Sequence, residues 1–196
     1  MLYPSDHFVY PEDRFVDVVR SATQAAKQLK DSLLLLGIAP DRLEPEYGWI
    51  HPGPHLGWIG EHDIKATEAF VEKPDIEKCR TAMASGALWN TLVLIARVET
   101  LWAVGWQCLP DMMPLFERYG KAVGTSEEES VLESIYEVMP VWNFSSQLLE
   151  RQPRRVAVME LSGVLWSDWG NPERILETLQ RIGKQPACRR LHAAAV

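Results

Sequence analysis

The sequence predicts an α/β fold, because helical and strand signals alternate along its 196 residues. Apolar residues recur at helical spacing across residues 15–29, which predicts a helix with one buried face. Leu33–Ile38 and residues 88–96 are short, nearly continuous apolar runs, which are typical of strands buried on both faces. The hydrophobic content of 46% is enough for the core of a single domain, which we place at residues 1–183.

The charge balance and the cysteines restrict the class of protein. A net charge of −7 and a pI near 5.3 argue against a nucleic-acid-binding surface, which needs a basic face. The three cysteines are isolated and lack metal-ligand spacing, which indicates a reducing compartment. No apolar run approaches the roughly 20 residues that cross a bilayer, and the first residues lack a signal-peptide pattern. We therefore expect a cytoplasmic protein that has neither a nucleic-acid nor a membrane partner.

Turn and capping signals predict the elements of the first half of the chain. Asp13 is predicted to cap the first helix, and this helix followed by a buried strand suggests a βαβ crossover that begins at residue 1. Residues 47–50 predict a strand, with residues 57–60 as the turn or the partner strand of a hairpin. Extended structure is expected before Pro74, and Asp75 is predicted to cap the next helix.

The second half begins with a long helical region. Residues 98–139 carry helical patterns, in which Ser126 and Glu129 have the spacing of a capping box. A strand over residues 155–161 follows. The periodicity is lost after residue 183, so residues 184–196 are predicted to form a flexible tail.

The motif WSDWG at residues 166–170 predicts a strand that ends in a loop presenting one carboxylate, Asp168. Asn171 then has the character of a helix N-cap, with Pro172 at the first helical position. A carboxylate beside a helix N-terminus can hold a hard cation, and the helix end attracts phosphate. Taken alone, the motif favours a simpler interpretation, in which Asp168 only caps the helix and the two tryptophans belong to the core.

Polar side chains follow several of the predicted strands. In open α/β sheets, ligands bind outside the carboxyl ends of the strands, so loops of this kind tend to share a crevice. Each polar group is a weak signal by itself, whereas the order of the groups is more specific. The groups are Ser5-Asp6-His7, Glu44 with Tyr47-Gly48, Glu72-Lys73-Pro74, Trp89-Asn90 and Ser167-Asp168.

Five motifs in this order resemble those of the sugar-phosphate nucleotidyltransferases, particularly the mannose-1-phosphate guanylyltransferases. They are PSDHF at residues 4–8, YGWI at residues 47–50, FVEKP at residues 70–74, LWN at residues 88–90 and WSDWG at residues 166–170. The resemblance implies a Rossmann-like mixed sheet. It also implies a reaction in which a hexose 1-phosphate attacks the α-phosphate of a nucleoside triphosphate and pyrophosphate leaves. GTP and mannose 1-phosphate are the leading pair of substrates.

The resemblance also implies roles for individual residues. A displacement at phosphorus develops charge, which Mg²⁺ can neutralise when carboxylates and phosphate oxygens hold it. By resemblance, Asp6 and Asp168 are catalytic residues that bind the metal, and Lys73 is a catalytic residue that holds the sugar phosphate. The implied substrate-binding residues are Tyr47 as a pocket wall, Gly48 as a point of close backbone approach, Glu72 as an acceptor for sugar hydroxyls, Lys73, and Asn90 as an amide donor.

Each of these residues also has a purely structural interpretation. Glu72 and Lys73 could form an exposed pair before a turn, and Asn90 could be an amide at the end of a strand. Together, the five motifs favour function over these alternatives, although the role of His7 stays open. The histidines at positions 51, 55 and 62 have irregular spacing, so solvent exposure is favoured over a zinc site.

The sequence departs from the family pattern in two places. Family members carry a glycine-rich loop of the form GGxGxRLxPL, which grips the nucleotide phosphates and supplies a catalytic arginine. The 196 residues contain no such loop, so we expect an N-terminally truncated domain with weak or no turnover. In addition, Ser145 lies where guanylyltransferases often carry an acidic residue, which leaves the sugar preference open.

The absence of the loop from the sequence keeps a second function open. The chain could be a non-catalytic module that binds a sugar phosphate or a nucleotide sugar. Missing strands would leave an exposed sheet edge, which favours pairing with a partner chain or with a second copy. A magnesium phosphohydrolase is a weaker alternative, because the sequence shows no evident nucleophile or base motif.

Overall fold

The computed structural model describes residues 1–186, so most of the predicted tail at 184–196 lies outside the described residues. The strands are β1 (His7–Tyr10), β2 (Leu33–Ile38), β3 (Gly48–Ile59), β4 (His62–Glu72), β5 (Leu88–Ile95), β6 (Val156–Glu160) and β7 (Leu165–Asp168). The helices are α1 (Glu12–Gln28), α2 (Ile76–Ala84), α3 (Val98–Cys108), α4 (Met113–Ala122), α5 (Glu128–Val138) and α6 (Pro172–Arg181). A π-helical turn, Ser145–Leu149, and a 3₁₀ turn, Pro153–Arg155, precede β6. The predicted α/β fold is confirmed.

Five strands form a mixed sheet in the order β2-β5-β3-β4-β6. The sheet closes on itself, because β6 pairs antiparallel with β4 and parallel with β2. Each of these five strands therefore has a neighbour on both sides in the described part of the chain. The expected exposed edge is wrong for this sheet, since register shifts in the long β3–β4 hairpin let it bend round to β6.

The short strand β1 does not join the five-stranded sheet. It pairs antiparallel with β7, and His7 lies opposite Asp168 in this ribbon. The predicted βαβ crossover from residue 1 is therefore wrong. Its failure has a simple reason: the partner of β1 comes from the other end of the described chain, and no local pattern marks such a pairing. The ribbon brings the PSDHF and WSDWG motifs together.

Buried side chains cover both faces of the sheet, as the apolar runs of β2 and β5 predict. Leu34 belongs to a core that α1 and α2 complete with residues such as Ala22 and Cys79. Leu35 belongs to the opposite core, to which α3 contributes Val104. The two cores lie on opposite faces of the sheet, and helices pack against each of them. Among the described helices, none is both long and apolar enough to span a membrane.

Helix starts follow the sequence in some places and not in others. Asp75 caps α2 and Asn171 caps α6, as predicted, so the interpretation of Asp168 as the cap of α6 is wrong. Asp13 lies inside the first turn of α1 rather than at its cap. The capping box of Ser126 and Glu129 does not form, because α5 begins two residues after Ser126, with no side-chain cap.

Replacing Asn171 by alanine is expected to lower the free energy of unfolding by about 1 kcal/mol. The reason is that its side chain accepts a hydrogen bond from the Arg174 amide in the first turn of α6. Thermal unfolding followed by circular dichroism would show a lower midpoint. The matched control, Asn171→Asp, keeps an acceptor and should remain close to the wild type. Equal midpoints for the wild type and Asn171→Ala would show that the cap does not stabilise the fold.

Candidate functional site

Asn90, Gly48 and Glu72 lie in one row across three neighbouring strands, which we call the polar row. Gly48 at the start of β3 pairs with Glu72 at the end of β4. On the other side of β3, Trp49 pairs with Trp89, and continuing this register by one residue sets Asn90 opposite Gly48. Residues that lie opposite one another on paired strands point to the same face of the sheet. Three of the predicted substrate-binding residues therefore share one face.

Gly48 is closely packed against its neighbours in the polar row. A Cβ atom at this position would lie 2.8 Å from Phe70 Cζ and 2.9 Å from a carboxylate oxygen of Glu72. Both distances are shorter than real Cβ contacts, so the Glu72 carboxylate lies directly against the Gly48 backbone. The predicted role of Gly48, close approach of a ligand to the backbone, needs this lack of a side chain.

The carboxyl group of Glu72 is half-buried, and burial raises its pKa above the ordinary value. The Lys73 ammonium lowers this pKa, whereas the Glu150 carboxylate raises it. Ser145 and Asn143 lower it as hydrogen-bonding neighbours. A hydroxyl and an amide thus accompany the carboxyl group, and such a set can both donate to and accept from sugar hydroxyls.

Lys73 follows Glu72 with a left-handed backbone, φ 48°, and its amide donates to the Tyr47 carbonyl oxygen at 3.3 Å. This conformation costs about 1 kcal/mol or more for a residue with a side chain, and it ends β4 directly after Glu72. Lys73 is exposed while Glu72 is not. Glu72 and Lys73 therefore do not form an ordinary exposed pair, because only Lys73 is exposed.

Asn90 serves its own strand with one half of its amide group. Its side-chain oxygen accepts a hydrogen bond of 3.0 Å from the Leu92 amide. Leu92 has a left-handed backbone, φ 53°, and the register between β2 and β5 shifts at this point, so Asn90 closes a β-bulge. Asn90 therefore lies inside β5 rather than at its end, and its side-chain oxygen is used within its own strand. The predicted contact with a sugar hydroxyl concerns the nitrogen.

Asp6 and Asp168 come together at one end of the β1–β7 ribbon. His7 pairs with Asp168, and the Trp169 amide donates to the Asp6 carbonyl oxygen at 2.9 Å. The His7 ring packs edge-on against Trp166, whose Nε1 donates to His7 Nδ1 at 3.2 Å. Burial lowers the pKa of His7, and the carboxylates of Asp168 and Asp6 act in the opposite direction. The two predicted metal ligands are therefore neighbours across the ribbon.

Asp168 also has a charged partner, Arg174. Its Oδ1 accepts from the Gly170 amide at 2.6 Å, and its Oδ2 accepts from Arg174 Nη1 at 3.2 Å. Arg174 is only 8% exposed, and its Nη2 contacts Glu46 at 2.5 Å and Glu44 at 3.4 Å. One buried guanidinium therefore joins three carboxylates. We call these four residues the Arg174 cluster.

Tyr47 lies with the Arg174 cluster rather than with the polar row. The Arg174 guanidinium lies over its ring at 4.6 Å, and the ring packs edge-on against Trp89 and Trp166. Burial raises the pKa of Tyr47 to about 12. Consecutive residues of an extended chain point to opposite faces, which separates Tyr47 from Gly48. The predicted pocket wall is thus on the other side of the sheet from the Glu72 carboxylate.

The side chains of Asp6 and Asp168 have the right chemistry for magnesium. Mg²⁺ prefers oxygen ligands and is often held by one or two carboxylates, with water and substrate phosphates completing the shell. Within residues 1–186, no group of three or more His, Cys, Asp or Glu side chains is arranged to hold a metal. A metal at the ribbon would therefore depend on water or phosphate ligands.

His62 is 7% exposed, so the solvent exposure predicted for it is wrong.

Sequence reasoning missed Arg174 and Glu46, and it noted Ser145 as a departure from the family rather than as a neighbour of Glu72. Arg174 and Glu46 are 128 residues apart in sequence, and a local pattern cannot reveal a contact of that length. A weak signal was present, because an arginine three residues after the predicted cap of α6 lies close to Asp168. The approach of Ser145 to Glu72 depends on the π-helical turn, which has no recognisable pattern.

Comparison with known proteins agrees with the motifs. The family model described as nucleotidyl transferase matches residues 1–185. The mannose-1-phosphate guanylyltransferase of Sinorhizobium fredii is 29% identical over 174 residues, which are 87% of this chain and 32% of that protein. The protein of the same name from Escherichia coli is 29% identical over 192 residues, which are 96% of this chain and 39% of that protein. The chain thus spans between 32% and 39% of the length of these relatives.

A solved structure from Thermus thermophilus, described as a mannose-1-phosphate geranyltransferase, has a similar fold. The TM-score is 0.73 at 27% identity, and the match covers 94% of this chain and 49% of that one. This similarity confirms the nucleotidyltransferase-type mixed sheet. Because the family model covers nearly the whole chain, the chain belongs to the nucleotidyl transferase family.

Proposed function

We propose that this chain acts in nucleotidyl transfer from GTP to mannose 1-phosphate, giving a nucleotide sugar and pyrophosphate. The observation that carries the proposal is the polar row, which sets Asn90, Gly48 and Glu72 on one face with Lys73 at its end. Relatives that are named mannose-1-phosphate guanylyltransferase support this choice of substrates.

Each side chain of the row has a defined task in this proposal. The exposed Lys73 ammonium binds the sugar phosphate as a compact positive charge. The Glu72 carboxylate accepts hydrogen bonds from sugar hydroxyls, and Asn90 donates one through its amide nitrogen. The absence of a side chain at Gly48 lets the sugar ring approach the strand. Ser145 and Asn143, which neighbour Glu72, contribute further hydrogen-bonding groups.

Asp6 and Asp168 would hold Mg²⁺ together with phosphate oxygens. The metal would neutralise the charge that develops on the phosphate during displacement. The task of the chain is to keep the two aspartates adjacent, and the bond from the Trp169 amide to the Asp6 carbonyl oxygen does so. GTP, mannose 1-phosphate and Mg²⁺ are the partners that this proposal requires.

Phosphorus NMR of the purified chain with GTP, mannose 1-phosphate and Mg²⁺ tests the proposal. We expect GDP-mannose and pyrophosphate to form together at the low rate predicted from the sequence, and Lys73→Ala to slow their formation at least about tenfold further, because a charged hydrogen bond is lost. Lys65→Ala is the matched control, since Lys65 lies on β4, the strand that ends just before Lys73, and contacts Asp63. Binding of mannose 1-phosphate without product would favour the non-catalytic module. If neither binding nor product is observed, the proposal is wrong.

A further inference from the structure

We propose that Arg174 is a positioning residue that competes with the divalent cation for Asp168. The inference rests on the proposed role of Asp168 as a metal ligand and adds a residue to which no role is assigned. In this view Arg174 holds the Asp168 carboxylate while the metal is absent. The hydrogen bond from Arg174 to Asp168 Oδ2 breaks when the metal binds.

The contacts of Asp168 support the competition. Both of its carboxylate oxygens already accept hydrogen bonds, Oδ1 from the Gly170 amide and Oδ2 from Arg174 Nη1. A divalent cation on Oδ2 would lie close to the guanidinium, and two positive charges at that separation repel each other strongly in a partly buried place. The metal and the Arg174 guanidinium therefore oppose each other at this oxygen through charge repulsion.

Arg174 has other anions to which it can remain bound. Its Nη2 contacts Glu46 at 2.5 Å and Glu44 at 3.4 Å, while only Nη1 contacts Asp168. The Tyr47 ring beneath the guanidinium holds it in place. Loss of the Asp168 contact would thus leave a buried cation that is still paired, so the release does not carry the full cost of an unpaired buried charge.

The surroundings of the cluster are negative overall. Three carboxylates meet one guanidinium, and the second arginine nearby, Arg42, shares Glu44 at 3.6 Å while also contacting Asp41 and Glu177. Arg42 makes no contact with Asp168 in the described part of the chain. The cluster can therefore attract a further cation, and Arg174 is the positive charge that directly opposes it at Asp168.

Mn²⁺ titration followed by electron paramagnetic resonance tests this inference on the whole chain without substrates. Arg174→Met removes the charge and keeps an apolar side chain over Tyr47, and it should tighten Mn²⁺ binding about tenfold, the size of effect that one close charge has on a carboxylate. Arg42→Met is the matched control. It removes a cation that does not contact Asp168, and it should change the affinity less than about threefold.

Glu46→Gln gives a second measurement that does not depend on removing a buried residue, because Glu46 is exposed. Arg174 then has one anionic partner fewer and binds Asp168 more strongly. Mn²⁺ binding should therefore weaken about threefold. Glu177→Gln removes an equal charge from the Arg42 side and should have a smaller effect. Asp168→Asn should lose the binding altogether, which locates the metal.

The outcomes separate this inference from the proposed function. Tighter binding by Arg174→Met together with weaker binding by Glu46→Gln supports the competition. If the wild type binds no measurable Mn²⁺, binding that appears in Arg174→Met but not in Arg42→Met supports it. Wild-type binding that Asp168→Asn abolishes and Arg174→Met leaves unchanged or weakens would overturn the competition and keep the metal site. If Arg174→Met does not fold, an unchanged affinity in Glu46→Gln overturns it. Absence of binding in every variant overturns both.

Discussion

Replacing Gly48 by alanine is expected to weaken the binding of mannose 1-phosphate at least about tenfold and to destabilise the fold by about 1–3 kcal/mol. The added Cβ would lie 2.8 Å from Phe70 Cζ and 2.9 Å from Glu72 Oε2, so both side chains must move. Movement of Glu72 disturbs the carboxylate that is proposed to accept the sugar hydroxyls. Titration calorimetry and thermal unfolding measure the two effects.

Gly57 offers a matched control on the same strand. A Cβ atom at Gly57 has no neighbour within 4 Å, so Gly57→Ala adds the same methyl group without a clash. We expect both the affinity and the thermal midpoint of Gly57→Ala to stay close to the wild type. If Gly48→Ala binds mannose 1-phosphate as tightly as Gly57→Ala does, the sugar does not approach Gly48.

Replacing Glu72 by glutamine is expected to stabilise the protein at neutral pH while it weakens the binding of mannose 1-phosphate. A charged hydrogen bond contributes about 1.5–3 kcal/mol, which corresponds to a loss of affinity of roughly 10- to 100-fold. Glutamine keeps the shape and the oxygen of the side chain. The loss would therefore report the charge rather than the packing.

The gain in stability follows from the direction of the pKa shift of Glu72. Burial raises this pKa, so the folded state binds the proton more tightly than the unfolded state does. The free energy of unfolding then decreases as the pH rises from the ordinary carboxyl pKa through the raised value. Glutamine does not ionise and removes this decrease.

Urea unfolding at several pH values measures the effect of Glu72→Gln. The variant should exceed the wild type in stability at neutral pH, and the difference should shrink below the ordinary carboxyl pKa. Glu68→Gln is the matched control, because Glu68 is exposed on the same strand. A difference that does not change with pH would show that Glu72 ionises in the folded state as it does in the unfolded state.

Much of the five-stranded sheet could be predicted from the sequence, because its strands carry local signals. The apolar runs identified β2 and β5, and the caps at Asp75 and Asn171 are present as predicted. The closure of the sheet could not be predicted. It depends on how far the β3–β4 hairpin bends, and only three residue pairs join β4 to β6.

The candidate site could be predicted in its residues but not in its arrangement. The motif order identified Glu72, Gly48 and Asn90, and the register of three strands then placed them in one row. The motifs could not indicate that Tyr47 faces away from this row. They also could not reveal Arg174 as the partner of Asp168, because an ion pair between distant segments leaves no periodic pattern.

The sugar phosphate is proposed to bind at the polar row, and an amide NMR spectrum of the isotopically labelled chain tests this location. Addition of mannose 1-phosphate with Mg²⁺ should shift the amide signals of Gly48, Lys73 and Asn90 in a saturable way, whereas mannose without phosphate should shift them far less. Saturable shifts confined to other parts of the chain, with these three signals unmoved, would contradict the claim.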